Sequence, residues 1–212
     1  MNVLDKLKTI SKIGTQISNT AEENAKITIS NIIILTAILT TLPFSVIYLS
    51  LQKPLLGIGI LILCCMYSSI FLFNKKNKYN IAKFFTIIFP VIGILSYFLC
   101  LGPESGVHLI LFPASILSFI LFHPKQKKTI RLCFIFPIFT FISLSTFGDH
   151  LNTVLVFKPI FLHIQNILSI LISFSFTVFI IKLYTSQQLK LFNLEQEKQD
   201  IIKCELSTAI NK

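Results

Sequence analysis

Hydrophobic and polar positions separate along this chain into blocks rather than alternating within short elements. Six apolar blocks can be drawn, near Ile29–Leu51, Pro54–Phe73, Ile81–Leu101, Val107–Phe122, Ile130–Phe147 and Ile160–Tyr184. Most are about as long as the roughly 20 residues a helix needs to cross a bilayer. The fourth is shorter and is expected to borrow Glu104 to Gly106 or His123 at its ends. The joining segments are brief, so neighbouring helices should pack as antiparallel hairpins. The predicted fold is therefore all-α: a polytopic bundle of six transmembrane helices (29–184), preceded by a cytoplasmic leader (1–28) and followed by a cytoplasmic helical connector (185–212).

Each end has a pattern of its own. Val3, Leu4, Leu7, Ile10 and Ile13 recur at helical spacing in the leader. This suits an amphipathic helix lying on the inner leaflet with its lysines near anionic headgroups, or equally a frayed polar leader. Beyond Tyr184 the chain is rich in helix formers and lacks Gly and Pro, so the sixth helix should run on without a break. Leu191, Leu194, Ile201, Ile202, Leu206 and Ala209 give it a partial apolar stripe, an imperfect and short heptad.

Composition supports the membrane reading. The chain is 53% hydrophobic and only 13% charged, against about 25% charged residues in ordinary soluble domains. It lacks the polar surface to coat a globule. The net charge of +10 would point to nucleic acid in a soluble domain, but the placement of the charges argues otherwise. Of the 19 Lys and Arg residues, all but Lys53 and Lys158 fall before the first block, in or around alternate loops, or at the end of the sixth block and beyond it. By the positive-inside rule this gives six crossings with both termini cytoplasmic. No nucleic acid is expected as a partner; the lipid bilayer is.

Five cysteines (64, 65, 100, 133 and 204) lie mostly inside apolar runs. There they behave as small hydrophobes rather than as a disulfide framework or a zinc site. Prolines interrupt the blocks at Pro43, Pro90, Pro113 and Pro137. Each removes a backbone donor and favours a kink. Kinks open cavities between helices, although proline is also simply more frequent in membrane helices.

Polar chemistry is sparse and gathers towards one membrane face. "CLGPESGVHLILFP" (100–113) ends the third block at Gly102-Pro103 and presents Glu104, Ser105, Gly106 and His108. "FGDH" adds Asp149 and His150, and His163 opens the sixth block. If the fourth helix begins early, Glu104 and His108 share a face at a spacing of four. Carboxylate and imidazole suit stimulus binding, proton sensing or a transition metal, so the metal question stays open. Capping of a helix by Glu104 and an interfacial hydrogen bond from His108 are the plainer alternatives.

Along the sixth block Asn166, Ser169, Ser173 and Thr177 form a polar stripe, suited to hydrogen-bonded helix packing or to lining a cavity beneath the outer site. No nucleophile elbow, P-loop, dinucleotide fingerprint or kinase motif is present. Neither catalysis nor a cofactor is expected.

The leader ending "KITISNIIILTAILTTLPF", with its Asn31, the outer "GPESGVHLILFP" turn, the basic "HPKQKK" loop and the helical exit together resemble the N-terminal sensor regions of some bacterial membrane-bound adenylate cyclases and hybrid histidine kinases. The resemblance implies a receptor bundle in the bacterial inner membrane, usually dimeric. A connecting helix there passes a signal to a cyclase, kinase or diguanylate cyclase domain. It implies that Glu104, Ser105, Gly106 and His108 belong to the stimulus region and that 185–212 is the connector. The chain stops at "STAINK", where an effector domain is expected to start, so the family's enzymatic activity is not expected of it. The expectation is a sensor or receptor module, homodimeric through its C-terminal helix, and either a truncated product or a free-standing chain acting on a separate cytoplasmic effector. A small transporter or channel subunit is the alternative.

Overall fold

In the computed structural model, which describes residues 3–16, 19–123, 125–150, 155 and 157–210, all regular structure among the described residues is helical. The α-helices are α1 (Val3–Ser11), α2 (Ala21–Ser50), α3 (Pro54–Lys75), α4 (Tyr79–Leu101), α5 (Leu111–Leu121), α6 (Lys127–Phe147) and α7 (Pro159–Ile210). Short 3-10 turns occupy Pro103–Ser105, Val107–Ile110 and Gly148–His150.

Local chemistry explains most of the boundaries. The Thr20 side chain accepts from the Glu23 amide at 3.2 Å, and Glu22 and Glu23 place negative charge in the first turn of α2. Cap and charge both satisfy the exposed N–H end of a helix. Pro54 opens α3, where its missing donor has no partner to lose. Two turns are closed by residues at positive φ, Gln52 (55°) and Asn77 (60°). The amides that follow them bond back to Tyr48 and Phe73 at 2.9 Å each.

α2, α3, α4, α6 and the Pro159–Ser186 part of α7 are each long and apolar enough to cross a membrane. The chain is accordingly a multi-pass membrane protein. The fourth apolar block behaves differently from the rest. Val107–Ile110 is 3-10, and α5 has only 11 residues, a rise of about 16 Å against a hydrocarbon core of about 30 Å. The segment nevertheless carries the chain from the C-terminal end of α4 back to its N-terminal end. There Gln126 donates to Asn80 at 3.3 Å.

The bundle thus has two poles. One holds the N-termini of α2, α4 and α6 with α1 beside them, and is called here the leader pole. The other, the turn pole, holds the C-termini of α2, α4 and α6 and the N-termini of α3 and α7. At the turn pole Phe157 and Phe161 of the α6–α7 connection and α7 pack on Tyr48 of α2.

Three buried apolar clusters fill the bundle. The cluster at the turn pole includes Tyr48, Leu56, Phe98, Val107 and Leu144. The cluster joining α7 to α2, α4, α5 and α6 includes Ile33, Ile87, Leu117, Cys133 and Ile180. Ile34, Leu63, Tyr67 and Phe89 bind α2, α3 and α4 together. Pro43, Pro90 and Pro137 lie inside helices, as the sequence suggests. Pro113 sits in the first turn of α5 instead, where proline leaves no helical hydrogen bond unmade.

α7 is a single helix of 52 residues, about 78 Å at 1.5 Å per residue. Its apolar part accounts for roughly half of that length.

Candidate functional site

At the turn pole the stretch 102–110 is not the start of a continuous helix. Gly102 (φ +83°) and Gly106 (φ +66°) each adopt a conformation that a side chain disfavours, and they flank a 3-10 turn at Pro103–Ser105. The expectation that Glu104 and His108 share a helical face does not hold. A left-handed glycine separates them, and α5 begins only at Leu111.

Their environments differ accordingly. Glu104 is exposed, whereas His108 is half-buried between two aromatic rings. Its ring meets Phe98 edge-on with centroids 5.4 Å apart and Phe141 at 5.7 Å. Its buried Nδ1 has no hydrogen-bond partner. His150 and His163 are both exposed, and the side chain of Asp149 lies outside what the structure describes. Among the described residues no three His, Cys, Asp or Glu side chains come together as a metal site.

What does converge on the turn is the stripe of α7. Ser169, fully buried, donates to the carbonyl of Ser105 at 3.1 Å. One turn further on, Ser173 donates to the carbonyl of Leu109 at 3.0 Å. Asn166 packs directly against Gly106, so that a Cβ at residue 106 would overlap its amide. The Ser105 hydroxyl is spent within the turn, donating to the Gly102 carbonyl at 2.6 Å. Thr177 bonds back to Ser173 of its own helix at 2.8 Å and leaves the turn untouched. α7 and the 102–110 turn are thus stitched together at three successive positions of the stripe.

Below the turn lies a cavity of about 160 Å³ between α2, α3, α4, α5 and α7. Its walls are largely aliphatic and aromatic, with Tyr48, Tyr67, Tyr97, Gln165 and Ser169 among the polar exceptions. Among the described residues no Asp, Glu, Lys, Arg or His lines it. Small side chains make the room, namely Ala37, Gly93 and Ala114. Pro90 of α4 is also on its wall, consistent with helix irregularity at that position. The Tyr48 hydroxyl approaches the Gln165 side-chain oxygen at 3.5 Å, and the Tyr97 hydroxyl the Leu56 carbonyl at 3.4 Å. Both are at the long limit of a hydrogen bond.

Sequence reasoning overlooked these residues. Three of the chain's five tyrosines, Tyr48, Tyr67 and Tyr97, stand inside apolar blocks. A buried tyrosine usually finds a partner for its hydroxyl, so three of them within apolar helices were the available signal. Gln165 stands one residue before the stripe and is easily read as part of its polar surroundings.

The leader pole carries a second polar assembly. Asn31 is fully buried; its amide nitrogen donates to the carbonyls of Ser11 at 3.1 Å and Ile13 at 2.8 Å, and its oxygen accepts from Asn74 at 2.7 Å. The leader is therefore pinned to the bundle. Leu7 and Ile10 of α1 are half-buried while its Asp5, Lys6 and Thr9 face outward; beyond its end Ile13 is half-buried and Lys12 exposed. The side chains of Val3 and Leu4, the rest of the apolar pattern, lie outside what the structure describes. Beside it Lys83, 3% exposed, bonds Glu23 at 2.6 Å. Ser30 and Thr86 join α2 to α4 at 2.8 Å.

No protein-family model matches the chain, and neither does any curated protein or solved structure.

Proposed function

We propose that this chain is a membrane sensor or receptor module without catalysis of its own, crossing the bacterial inner membrane six times with both termini in the cytoplasm. The observation that carries the reading is the attachment of α7 to the 102–110 turn through Asn166, Ser169 and Ser173. The helix that makes this attachment also runs on for about 36 Å beyond its apolar part, over 24 residues at 1.5 Å each. A change of packing at the turn pole therefore acts on one end of a stiff rod whose other end lies far from it.

The mechanism is a shift of population between two packings of α7 against the turn and α5. Hydrogen bonds between membrane helices are worth about 0.6 kcal/mol on average. Two of them hold α7 to the turn firmly enough to define one packing and weakly enough to exchange it for another.

The six-crossing topology draws support from two sources. Segment 102–126 returns over the full height of α4 although α5 itself is short. The basic residues Lys75, Lys76, Lys78, Lys125, Lys127 and Lys128 all fall on the leader pole, the cytoplasmic side by the positive-inside rule. The resemblance to cyclase and histidine-kinase sensor regions belongs to the same proposal, as do a homodimer through 185–212 and a separate effector. Glu104, Ser105, Gly106, His108, His150 and His163 form the proposed stimulus region. Within it, Ser105 and Gly106 touch α7.

The test is a fusion of residues 1–212 to a dimerisation-dependent cytoplasmic reporter. Ser169→Ala combined with Ser173→Ala is expected to change the reporter's basal output at equal membrane abundance. An unchanged output, together with solute flux through the purified chain in proteoliposomes, would replace the receptor reading with a transporter.

A further inference from the structure

The cavity beneath the turn has the dimensions and chemistry of a ligand site. We propose that it binds one neutral molecule with an apolar body and a single hydroxyl group, the hydroxyl bonded to both Tyr48 and Gln165. Its effect on α7, though not its binding, rests on the receptor reading above.

Size comes first. The cavity measures about 160 Å³, and an apolar cavity of about 150 Å³ inside a protein stays dry and takes up benzene. The body of the ligand is therefore an aromatic ring or a short branched chain, on the order of six to ten carbons. A full lipid acyl chain is too long. The cavity is not sealed either, because Thr40 on its wall is exposed at the bundle surface.

Charge comes second. Among the described residues the wall carries no carboxylate, amine, guanidinium or imidazole, so a carboxylate, ammonium or phosphate ligand would enter without a counter-ion, at a large desolvation cost. The ligand is neutral.

The hydroxyl follows from the polar groups. Tyr48 is 1% exposed, and its phenol reaches the Gln165 oxygen only at 3.5 Å. A ligand hydroxyl set beside the pair, on the cavity side and within reach of both, accepts from the tyrosine and donates to the glutamine, replacing one long bond with two short ones. Tyr48 is held for this role by rings on three sides: Tyr97 at 6.1 Å, Phe161 at 6.2 Å and Phe157 at 6.5 Å. Gln165 stands on α7 one turn before Ser169, which shares the cavity wall and bonds the turn. Occupancy therefore presses on the same face of α7 that the stripe stitches to residues 105–109.

The probes are 4-propylphenol and propylbenzene, which differ only by the hydroxyl. Equilibrium dialysis against the full chain in lipid nanodiscs, with uptake by empty nanodiscs subtracted, should show one saturable 4-propylphenol site per chain. Propylbenzene should bind more weakly. Tyr48→Phe keeps the ring and its packing and should weaken 4-propylphenol about fivefold, the loss of one hydrogen bond, while leaving propylbenzene unchanged. Ala114→Phe fills the cavity and should abolish saturable binding of both probes. No saturable uptake above empty nanodiscs, or the same uptake in both variants as in the parent chain, overturns the site. Binding that leaves cysteine crosslinking along 201–206 unaltered keeps the site and overturns the receptor reading alone.

Discussion

Replacing Asn31 with leucine separates the leader from the bundle with little change of volume. The wild-type side chain is fully buried and makes three hydrogen bonds, two to leader carbonyls and one from Asn74. Each net bond is worth about 1 kcal/mol, and a buried group left without its partner costs more. The docked leader should lose about 3 kcal/mol, close to a hundredfold in its docking equilibrium. Other ties remain: Gln16 bonds Asn77 at 2.8 Å, and Tyr79 bonds the Gly14 carbonyl at 2.9 Å. The leader should therefore open locally rather than take the bundle with it.

Hydrogen exchange in nanodiscs reads this directly. The amides of Lys12, Ile13 and Thr15, bonded within the leader at 3.1 to 3.2 Å, should lose up to a hundredfold in protection while those of α3 and α4 keep theirs. Asn74→Leu should produce part of the same loss. The double variant should fall well short of the sum, because both substitutions remove the bond they share. Equal protection in Asn31→Leu and the parent chain would refute the reasoning. So would a uniform loss throughout the bundle, which would mean that Asn31 supports the core rather than the leader.

Three further outcomes follow from the same geometry. Gly106→Ala meets both a left-handed backbone and the Asn166 amide; it should cost about 2 kcal/mol in thermal or denaturant unfolding, and Asn166→Ala should restore part of the loss by removing the overlap. Glu23→Gln leaves the 3% exposed Lys83 as an uncompensated buried charge, at a cost of about 3 kcal/mol. Lys83→Met removes that charge and leaves only the 31% exposed Glu23, so it should cost clearly less; the order of the two unfolding midpoints checks this. Simultaneous Glu104→Gln and His108→Phe should alter the output of a reporter fusion if the stimulus region extends over the whole turn, and an unchanged output would confine that region to Ser105, Gly106 and α7.

Much of the architecture was legible because bilayer-length apolar runs are a coarse signal. α2, α3, α4, α6 and the start of α7 fall where hydropathy places them, and the short 107–122 block already stood out by its length. Its division into a 3-10 turn and a short helix depends on Gly106 adopting φ +66° against α7, a tertiary contact that spacing does not reveal. Spacing did mark the α7 stripe, since residues three and four apart share a helix face. It could not tell Thr177, bonded to its own helix, from Ser169 and Ser173, bonded to the turn.

The chemistry was harder to read. Histidine and acid side chains draw attention in an apolar chain, yet Glu104, His150 and His163 turn out exposed, and among the described residues no three such groups form a metal site. The polar groups that do face a shared space are tyrosines and a glutamine on four different helices, and only packing brings those together. Asn31 was visible as an isolated amide near the start of an apolar block, but its bonds to Ser11, Ile13 and Asn74 required the fold.

The most direct test of the central claim is disulfide crosslinking of single cysteines placed from Ile201 to Leu206, with the native Cys204 among them, in a chain whose Cys64, Cys65, Cys100 and Cys133 are replaced. In native-like membranes the receptor account predicts a helical periodicity of crosslinking. It also predicts that the favoured positions move when Ser169→Ala and Ser173→Ala release α7 from the turn. Uniformly weak crosslinking, or a periodic pattern that those substitutions leave in place, would contradict it.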